Sequence, residues 1–393
     1  MLSITSRPGE ICFSRDPIIY TFHTDLPSTT EGLMIEVAIY FCPGAGTDFT
    51  KVYTQPIYPD INGDMALYVG EIVNSMLTYS LPSLAVEAIT DMNSQVGRFY
   101  IDYREITTAT PTPAWLSDSA STCNVIKGGT SYERWQGGNF FSGYMTSAKP
   151  FLTWQTSGRL CGSVERMYLY YLHMTSVTSG VTVKVRVVYT DGTEASSQPL
   201  VFPAGKKYHV YQIPSGPQQL ALAAPAGKMI HYYEVSVMAG STVLAAPFRY
   251  EIDNRPAYSP LQLNYINSLG GIDSIRLLGV SEPGISREAV IAERVTTGVN
   301  NSEVKARLLN SSISLTGTWT GNSGFVTKNE HDGYLDIFAS RGIYRELSGR
   351  WLPLVLTSQK VPLPKSTDDL FSITVEFQAG FTNTSWTPAG QNF

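Results

Sequence analysis

Charge is what this 393-residue chain has least of. Only 16% of its residues are Asp, Glu, Lys or Arg, against roughly 25% in an average soluble protein. The formal net charge is −5 and no basic run occurs. That argues against nucleic acid as a partner, because neutralising phosphates needs clustered Lys and Arg. Cysteine is sparse too. Cys12, Cys42, Cys123 and Cys161 lie far apart without a CxxC, which excludes zinc ribbons and thioredoxin-type chemistry. Buried free thiols are the expected state; a Cys12–Cys42 or Cys123–Cys161 bridge would require an oxidising compartment. No stretch approaches 18 apolar residues, so no membrane span is expected. The opening, MLSITSRPGE, lacks the basic start and apolar run of a signal peptide.

Catalytic signatures are missing as well. The five histidines, His23, His173, His209, His231 and His331, fall in no HxH or HExxH spacing, so no metal site is expected from motif. His173, His209 and His231 lie in expected strands of one region, and three such residues can form a metal site; the bland alternative is ordinary strand residues. There is no GxSxG elbow and no phosphate loop, and nothing calls for a cofactor. The carboxylate pairs Asp368/Asp369 and Asp102/Glu105 would have to converge in space to act on a glycosidic bond. A solvated loop is the simpler reading of the first pair. Asp60-Ile61-Asn62-Gly63-Asp64 lacks the alternating ligands and distal Glu of a calcium loop, so it reads as a turn. The expectation is a protein without enzymatic activity.

What is present is a β-forming composition. Hydrophobic residues make up 43%, with 23 Tyr and 33 Gly, and Tyr, Thr, Ser and Gly take the place of charge. Leu33, Ile35, Val37 and Ile39 alternate on one face of a strand. Val181, Val183, Val185 and Val187 alternate with Thr182, Lys184 and Arg186 in another. Turn signals at Asn62-Gly63, Asp191-Gly192 and Ser348-Gly349 separate short strands. Strands are also expected over Tyr208–Ile213, Gln219–Leu222, Met229–Met238 and Phe371–Phe377. Two short helices are expected. One covers Glu71–Tyr79, with Ile72, Val73, Met76 and Leu77 on one face. The other starts at Thr327, where Thr327 and Glu330 make a capping box. The fold class is therefore all-β with minor α. Three domains are expected: an N-terminal β-sandwich over 1–102, a middle sandwich or jelly roll over 103–252, and a C-terminal β-rich domain over 253–393. The sandwiches would be immunoglobulin-like or jelly-roll. The last residues, from Asn383, read as a flexible or partner-bound tail.

The chain is organised around Leu261–Gly279, LQLNYINSLGGIDSIRLLG. It reads as strand, double-glycine turn, strand. Glycine supplies the positive φ of the turn, and Asn267 and Asp273 can tie to nearby backbone amides. Within it, LNYINSLGGIDSIRLLG resembles a signature of uncharacterised virion and tail-associated proteins in phages and prophages of the Bacteroidetes group. Asn264, Asn267, Gly270, Gly271, Asp273 and Gly279 carry the likeness. Ile266 stands where that family has Trp or Leu, and Leu277 where it has Phe. The order of TGTWTG (316–321), TKNEH (327–331), LDIFAS (335–340), GRWLPLVL (349–356) and SITVEFQA (372–379) is similar to the C-terminal part of the same family. The opening ITSRPGEICFSRDPIIYTFHTD is more weakly similar to its first domain. Together these cover about a third of the chain, and the middle region carries none. The resemblance implies a structural virion protein of a tail, collar or baseplate, working as multiple copies beside neighbouring virion proteins. It implies no reaction.

One stretch suggests binding. Residues 128–141, GGTSYERWQGGNFF, concentrate aromatic rings and glycine. With Trp115 and Tyr144 they nominate Trp115, Tyr132, Arg134, Trp135, Asn139, Phe140 and Tyr144 as ligand or interface contacts. Aromatic faces stack on sugar rings, and amides fix hydroxyls, so a host surface glycan is one partner class. The alternative reading places the same aromatics in the core or a subunit interface, where aromatics with an Arg act as anchors.

Overall fold

The computed structural model describes residues 2–131, 140–145, 151–177, 179–203, 205–255, 260–279, 281–293, 308–358 and 370–385. Among the described residues, strands hold 49% and helices 9%, so the protein is all-β with minor α. It divides into two compact units. Unit 1 comprises Met1–Asn254 together with Asn267–Asp273; unit 2 comprises Arg255–Ile266 and Ser274–Phe393.

Unit 1 opens with β1 (Ser3–Ser6), β2 (Ile11–Phe13), β3 (Ile19–His23), β4 (Met34–Pro43), β5 (Thr50–Ile57) and β6 (Asp64–Tyr68). Helix α1 (Gly70–Ser75) follows, then β7 (Thr90–Asp91), β8 (Val96–Ile106), β9 (Leu116–Ser117) and β10 (Cys123–Ile126). The second half holds β11 (Arg159–Cys161), β12 (Tyr168–Leu172), β13 (Val181–Tyr189), β14 (Glu194–Val201), β15 (Val210–Pro214), β16 (Ile230–Ala239) and β17 (Thr242–Ile252). These make two sandwiches. In the first, the sheet β1-β3-β6 faces the sheet β2-β10-β8-β4-β5, which β9 joins through β8. Tyr20, Phe22 and Leu67 from one sheet share a core with Ile35, Val37, Ile39, Phe99 and Ile101 from the other. In the second, β12-β15-β7 faces β11-β17-β16-β13-β14. There Leu169, Tyr171 and Ile213 meet Val183, Val185, Tyr233 and Val235. Each fully buried aliphatic or aromatic side chain of such a core contributes roughly 1.5–3 kcal/mol.

The alternation read in the sequence positions these faces. Leu33, Ile35, Val37 and Ile39 are all buried, as are Val181, Val183, Val185 and Val187. Two expected elements come out differently. The helix expected over Glu71–Tyr79 is only Gly70–Ser75, a length at which few backbone bonds offset the nucleation cost. Gln219–Leu222 is a turn, not a strand. Leu220 N–H donates to Gly216 O (3.0 Å) and Leu222 N–H to Pro217 O (2.9 Å), while the Gln219 side-chain oxygen accepts from Met167 N–H (2.8 Å) and Gly216 N–H (3.0 Å). A side chain that satisfies two backbone donors leaves the local backbone free to curl. The boundary expected at 102/103 falls inside β8. Strands also cross it, since β10 pairs with β8 and β7 pairs with β15.

Unit 2 holds β18 (Leu261–Ile266), β19 (Ile272–Leu277), β20 (Glu282–Glu293), β21 (Leu308–Asn322), helix α2 (Lys328–Tyr334), β22 (Ile343–Leu347), β23 (Arg350–Leu356) and β24 (Thr374–Ala379). They form one sheet in the order β19-β18-β22-β23-β24-β21-β20. Leu263, Tyr265, Ile275, Ile343 and Phe377 build its core with Tyr334 and Ile337 from the helical segment. The capping box starts that segment: Glu330 N–H donates to Thr327 Oγ1 (3.3 Å) and Thr327 N–H donates to the Glu330 carboxylate (2.9 Å). Ile373, just before β24, and Val375 and Phe377 within it are buried as the alternation requires. Asn383 exchanges two 2.8 Å backbone bonds with Leu315. The rest of the expected tail, from residue 386, lies outside the described residues.

The turn of the organising stretch belongs to unit 1. Gly270 sits at φ 94°, and an added Cβ there would collide with the Lys127 carbonyl oxygen. Asn267, 1% exposed, is the hub. Its Oδ1 accepts from Gly271 N–H (2.8 Å), and its Nδ2 donates to Leu152 O (2.8 Å) and to Asp273 Oδ2 (2.8 Å). Asp273 also accepts from Thr153 Oγ1 (2.8 Å), a second side-chain bond within unit 1. Replacing Asn267 with Ala strands buried polar groups that each cost about 1–3 kcal/mol when unpaired. Asn267→Ala should therefore destabilise unit 1 by about 2–4 kcal/mol, read as a lower urea midpoint. An unchanged midpoint would contradict this role.

Candidate functional site

The nominated aromatics separate into two places. Phe140 and Tyr144 bound a short helical turn and stack on each other at 5.1 Å. Phe13, Phe141 and Trp154 complete a cluster around them. Phe140 is 2% exposed, so its ring faces are spent on packing. Trp154 Nε1–H donates to Ser268 Oγ (2.8 Å), and Arg15 donates to Ser268 O. The cluster thus packs beside the organising turn and serves as core. Tyr132, Arg134, Trp135 and Asn139 lie outside the described residues.

Trp115 belongs to a different surface, the outer face of the first sandwich. The alternation that buries Ile35, Val37 and Ile39 turns Glu36 and Tyr40 outward, with Ala38 between them on the same face but covered. The register of β4 on β8 then sets Glu36 opposite Arg104, Ala38 opposite Asp102, and Tyr40 opposite Tyr100. Arg104 Nε donates to Glu36 (2.6 Å), and its guanidinium lies 4.4 Å over the Trp115 ring. Tyr40 and Tyr100 stack at 5.0 Å with planes 2° apart. Phe49 meets Tyr100 edge-on at 5.0 Å, and Arg98 covers Phe49 at 5.6 Å. Desolvation, and then the Asp102 carboxylate, push the Tyr40 and Tyr100 phenols above their ordinary range. They are neutral hydrogen-bonding groups at neutral pH. Four residues of strand separate the two aromatic stations, roughly 13 Å.

This strip was legible only in part. Tyr40 and Tyr100 occupy outward positions of strands whose alternation is plain, yet nothing in the sequence pairs them until the register is known. Chemically the strip offers flat apolar rings flanked by guanidinium and carboxylate groups. That combination suits sugars or a protein neighbour.

His173 and His209 are neighbours, His173 N–H donating to His209 O (2.9 Å), but the expected trio forms no metal-holding group. His173 is held through Nε2 by Val177 O (2.8 Å). His209 Nδ1 pairs with Asp91 (3.0 Å). His231 is exposed and leans on Tyr232. Among the described residues, no group of three His, Cys, Asp or Glu is placed to hold a metal ion. None of their helices is long and apolar enough to cross a membrane. The Asp60 carboxylate closes its own turn, accepting from Asn62 N–H (2.8 Å) and Asp64 N–H (2.9 Å). Asp368 and Asp369 lie outside the described residues. The cysteines are free. The sulfur contact is Cys12 to Cys123 at 3.4 Å, not either pairing considered from spacing, because β2 and β10 are neighbours in one sheet.

No protein-family model matches the chain, and no curated protein matches it.

Burial depresses the His173 imidazole below its ordinary 6.5, with the Val177 carbonyl opposing and His209 adding to the shift. The unfolded chain therefore binds the proton more readily than the folded one. Stability is complete above about pH 6.5 and falls as the pH drops towards the folded value. His173→Gln should flatten the loss of unit 1 stability between about pH 7 and pH 5. An equally steep loss in the variant would assign it to other groups.

Proposed function

We propose that the chain is a structural subunit of a phage virion, of the tail, collar or baseplate region. It is made in the bacterial host cytoplasm and used in multiple copies beside other virion proteins. The observation that carries this reading is a long β-ribbon in unit 2 whose outer part no other described strand covers. All twelve residues of β20 pair with β21, from Glu282 opposite Thr320 to Glu293 opposite Leu308. β24 supports β21 only over Thr318–Asn322. Beyond that, the described residues add a single bridge, from Leu315 to Asn383. Among the described residues, a ribbon of roughly 30 Å therefore stands on two strands. Such ribbons are marginal in water, and a long uncovered edge is a template for pairing with another chain.

The side-chain pattern fits an interface. Alternation puts Ile285, Arg287, Ala289 and Ile291 on one face, with Ile313 and Leu315 beside them by register, so the face is apolar apart from Arg287. Ile285 is 51% exposed and Ile291 64%. Apolar side chains on one face of an exposed ribbon are accounted for if a neighbouring copy covers them. The low overall charge and the absence of catalytic motifs are consistent with that use.

A second reading, a glycan- or receptor-binding adhesin, draws support from the outer strip of Trp115, Arg104, Tyr40 and Tyr100. The two are separable. Ile285→Lys with Ile291→Lys should convert a multicopy species into monomer in light scattering, with the thermal midpoint retained. Trp115→Ala with Tyr40→Ala should leave the mass unchanged and weaken binding to host surface polysaccharide by tenfold or more, since each stacked ring contributes about 1 kcal/mol. A wild-type chain that stays monomeric at all concentrations, alone and with its virion neighbours, would overturn the first reading. Unaltered polysaccharide binding would overturn the second.

A further inference from the structure

Two of the four cysteines meet across a sheet edge. Cys12 lies on β2 and Cys123 on β10, which run parallel with Asn124 opposite Ile11 and Val125 opposite Cys12. The two sulfurs sit diagonally on the same face, 3.4 Å apart. Cys123 is buried, and Cys12 is partly open to solvent. Each of the other thiols has a different neighbour: Cys42 contacts Pro43 O and Cys161 contacts the Tyr233 hydroxyl, both at 3.7 Å.

We infer that Cys12 and Cys123 form a reversible oxidation latch, open in a reducing compartment and closed by a small disulfide oxidant. The steps balance. The Cys12 thiolate attacks one sulfur of the oxidant R–S–S–R, forming Cys12–S–S–R and releasing the first thiolate. Cys123 loses its proton and attacks the Cys12 sulfur, forming the Cys12–Cys123 bond and releasing the second. The protein loses two protons and two electrons, and the oxidant leaves as two R–SH. Cys12 is the less enclosed of the two residues and the one an oxidant meets first; Cys123 is placed to resolve the mixed disulfide.

The site is set for slow, reversible closure. The neighbouring Cys123 thiol and burial both hold the Cys12 thiol in its protonated form at neutral pH, so adventitious oxidation is slow. Closing the gap from 3.4 Å to a bond of about 2.05 Å requires the strands to shift. The shift falls to β2, a three-residue strand at the edge of its sheet that pairs, among the described strands, with β10 alone. The resulting strain makes the bond easier to reduce. Closure would tie the N-terminal edge strand to β10 and constrain a long loop of the unfolded chain. The inference concerns unit 1 alone and does not depend on the assembly reading.

The test uses the full chain, reduced and then exchanged into oxidised glutathione. The expected product is a monomeric chain lighter by two hydrogens, with a peptide link between Cys12 and Cys123, and with Cys42 and Cys161 still alkylatable. Its unit 1 melting midpoint should rise by roughly 5 °C and return on mild reduction. Cys12→Ser and Cys123→Ser should each abolish the link and the rise, whereas Cys42→Ser should keep both. Four alkylatable thiols after oxidation, a stable glutathione adduct at Cys12, or a link involving Cys42 or Cys161 would overturn the inference.

Discussion

A carboxylate and an amide buried side by side hold the central turn of this protein. Asp273 and Asn267 are almost fully enclosed, and burial of such groups is tolerable only when their hydrogen bonds are made. Thr153, the Leu152 carbonyl and the Gly271 amide meet that demand. The chain leaves unit 1 at Asn254, contributes the seven residues Asn267–Asp273 back to it, and continues into unit 2. The turn must therefore keep one conformation. Gly270 allows it by taking φ 94°, and the aromatic cluster of Phe13, Phe140, Tyr144 and Trp154 packs beside it through the Trp154–Ser268 bond.

The rest of the molecule follows from how each sheet manages its faces and edges. In unit 1 two pairs of sheets bury one face each, and the outer face of the first sandwich is left with registered aromatic and charged side chains. In unit 2 the core side of the sheet packs on the helical segment around Tyr334 and Ile337. β20 and the outer part of β21 have no such cover among the described residues. Among the described residues, burial stops at this ribbon, which is why the assembly reading rests on it.

Much of this was legible in the sequence, for reasons that differ by residue. Period-two alternation in Leu33–Ile39 and Val181–Val187 names the buried faces directly. Asn62-Gly63 and Ser348-Gly349 are turns because glycine there takes positive φ, and Thr327 with Glu330 makes its capping box from local spacing alone. Long-range register was hidden. No local pattern brings Tyr40 to Tyr100, Cys12 to Cys123, or Thr90–Asp91 to β15. Phe140 reads equally well as a sugar platform or as core, and only its neighbours decide. Gln219–Leu222 has a strand-like composition, but its side-chain bonds to Met167 and Gly216 impose a turn.

The most direct measurement is hydrogen exchange of the β20 amides across a range of protein concentration. A strand at a sheet edge has amides that bond only to solvent until another chain covers them. The account predicts that protection over Ile285–Ile291 rises with concentration while protection in β4 and β8 stays constant. Fast exchange along β20 that is independent of concentration, and unchanged when neighbouring virion proteins are added, would contradict a ribbon built to be covered by another subunit.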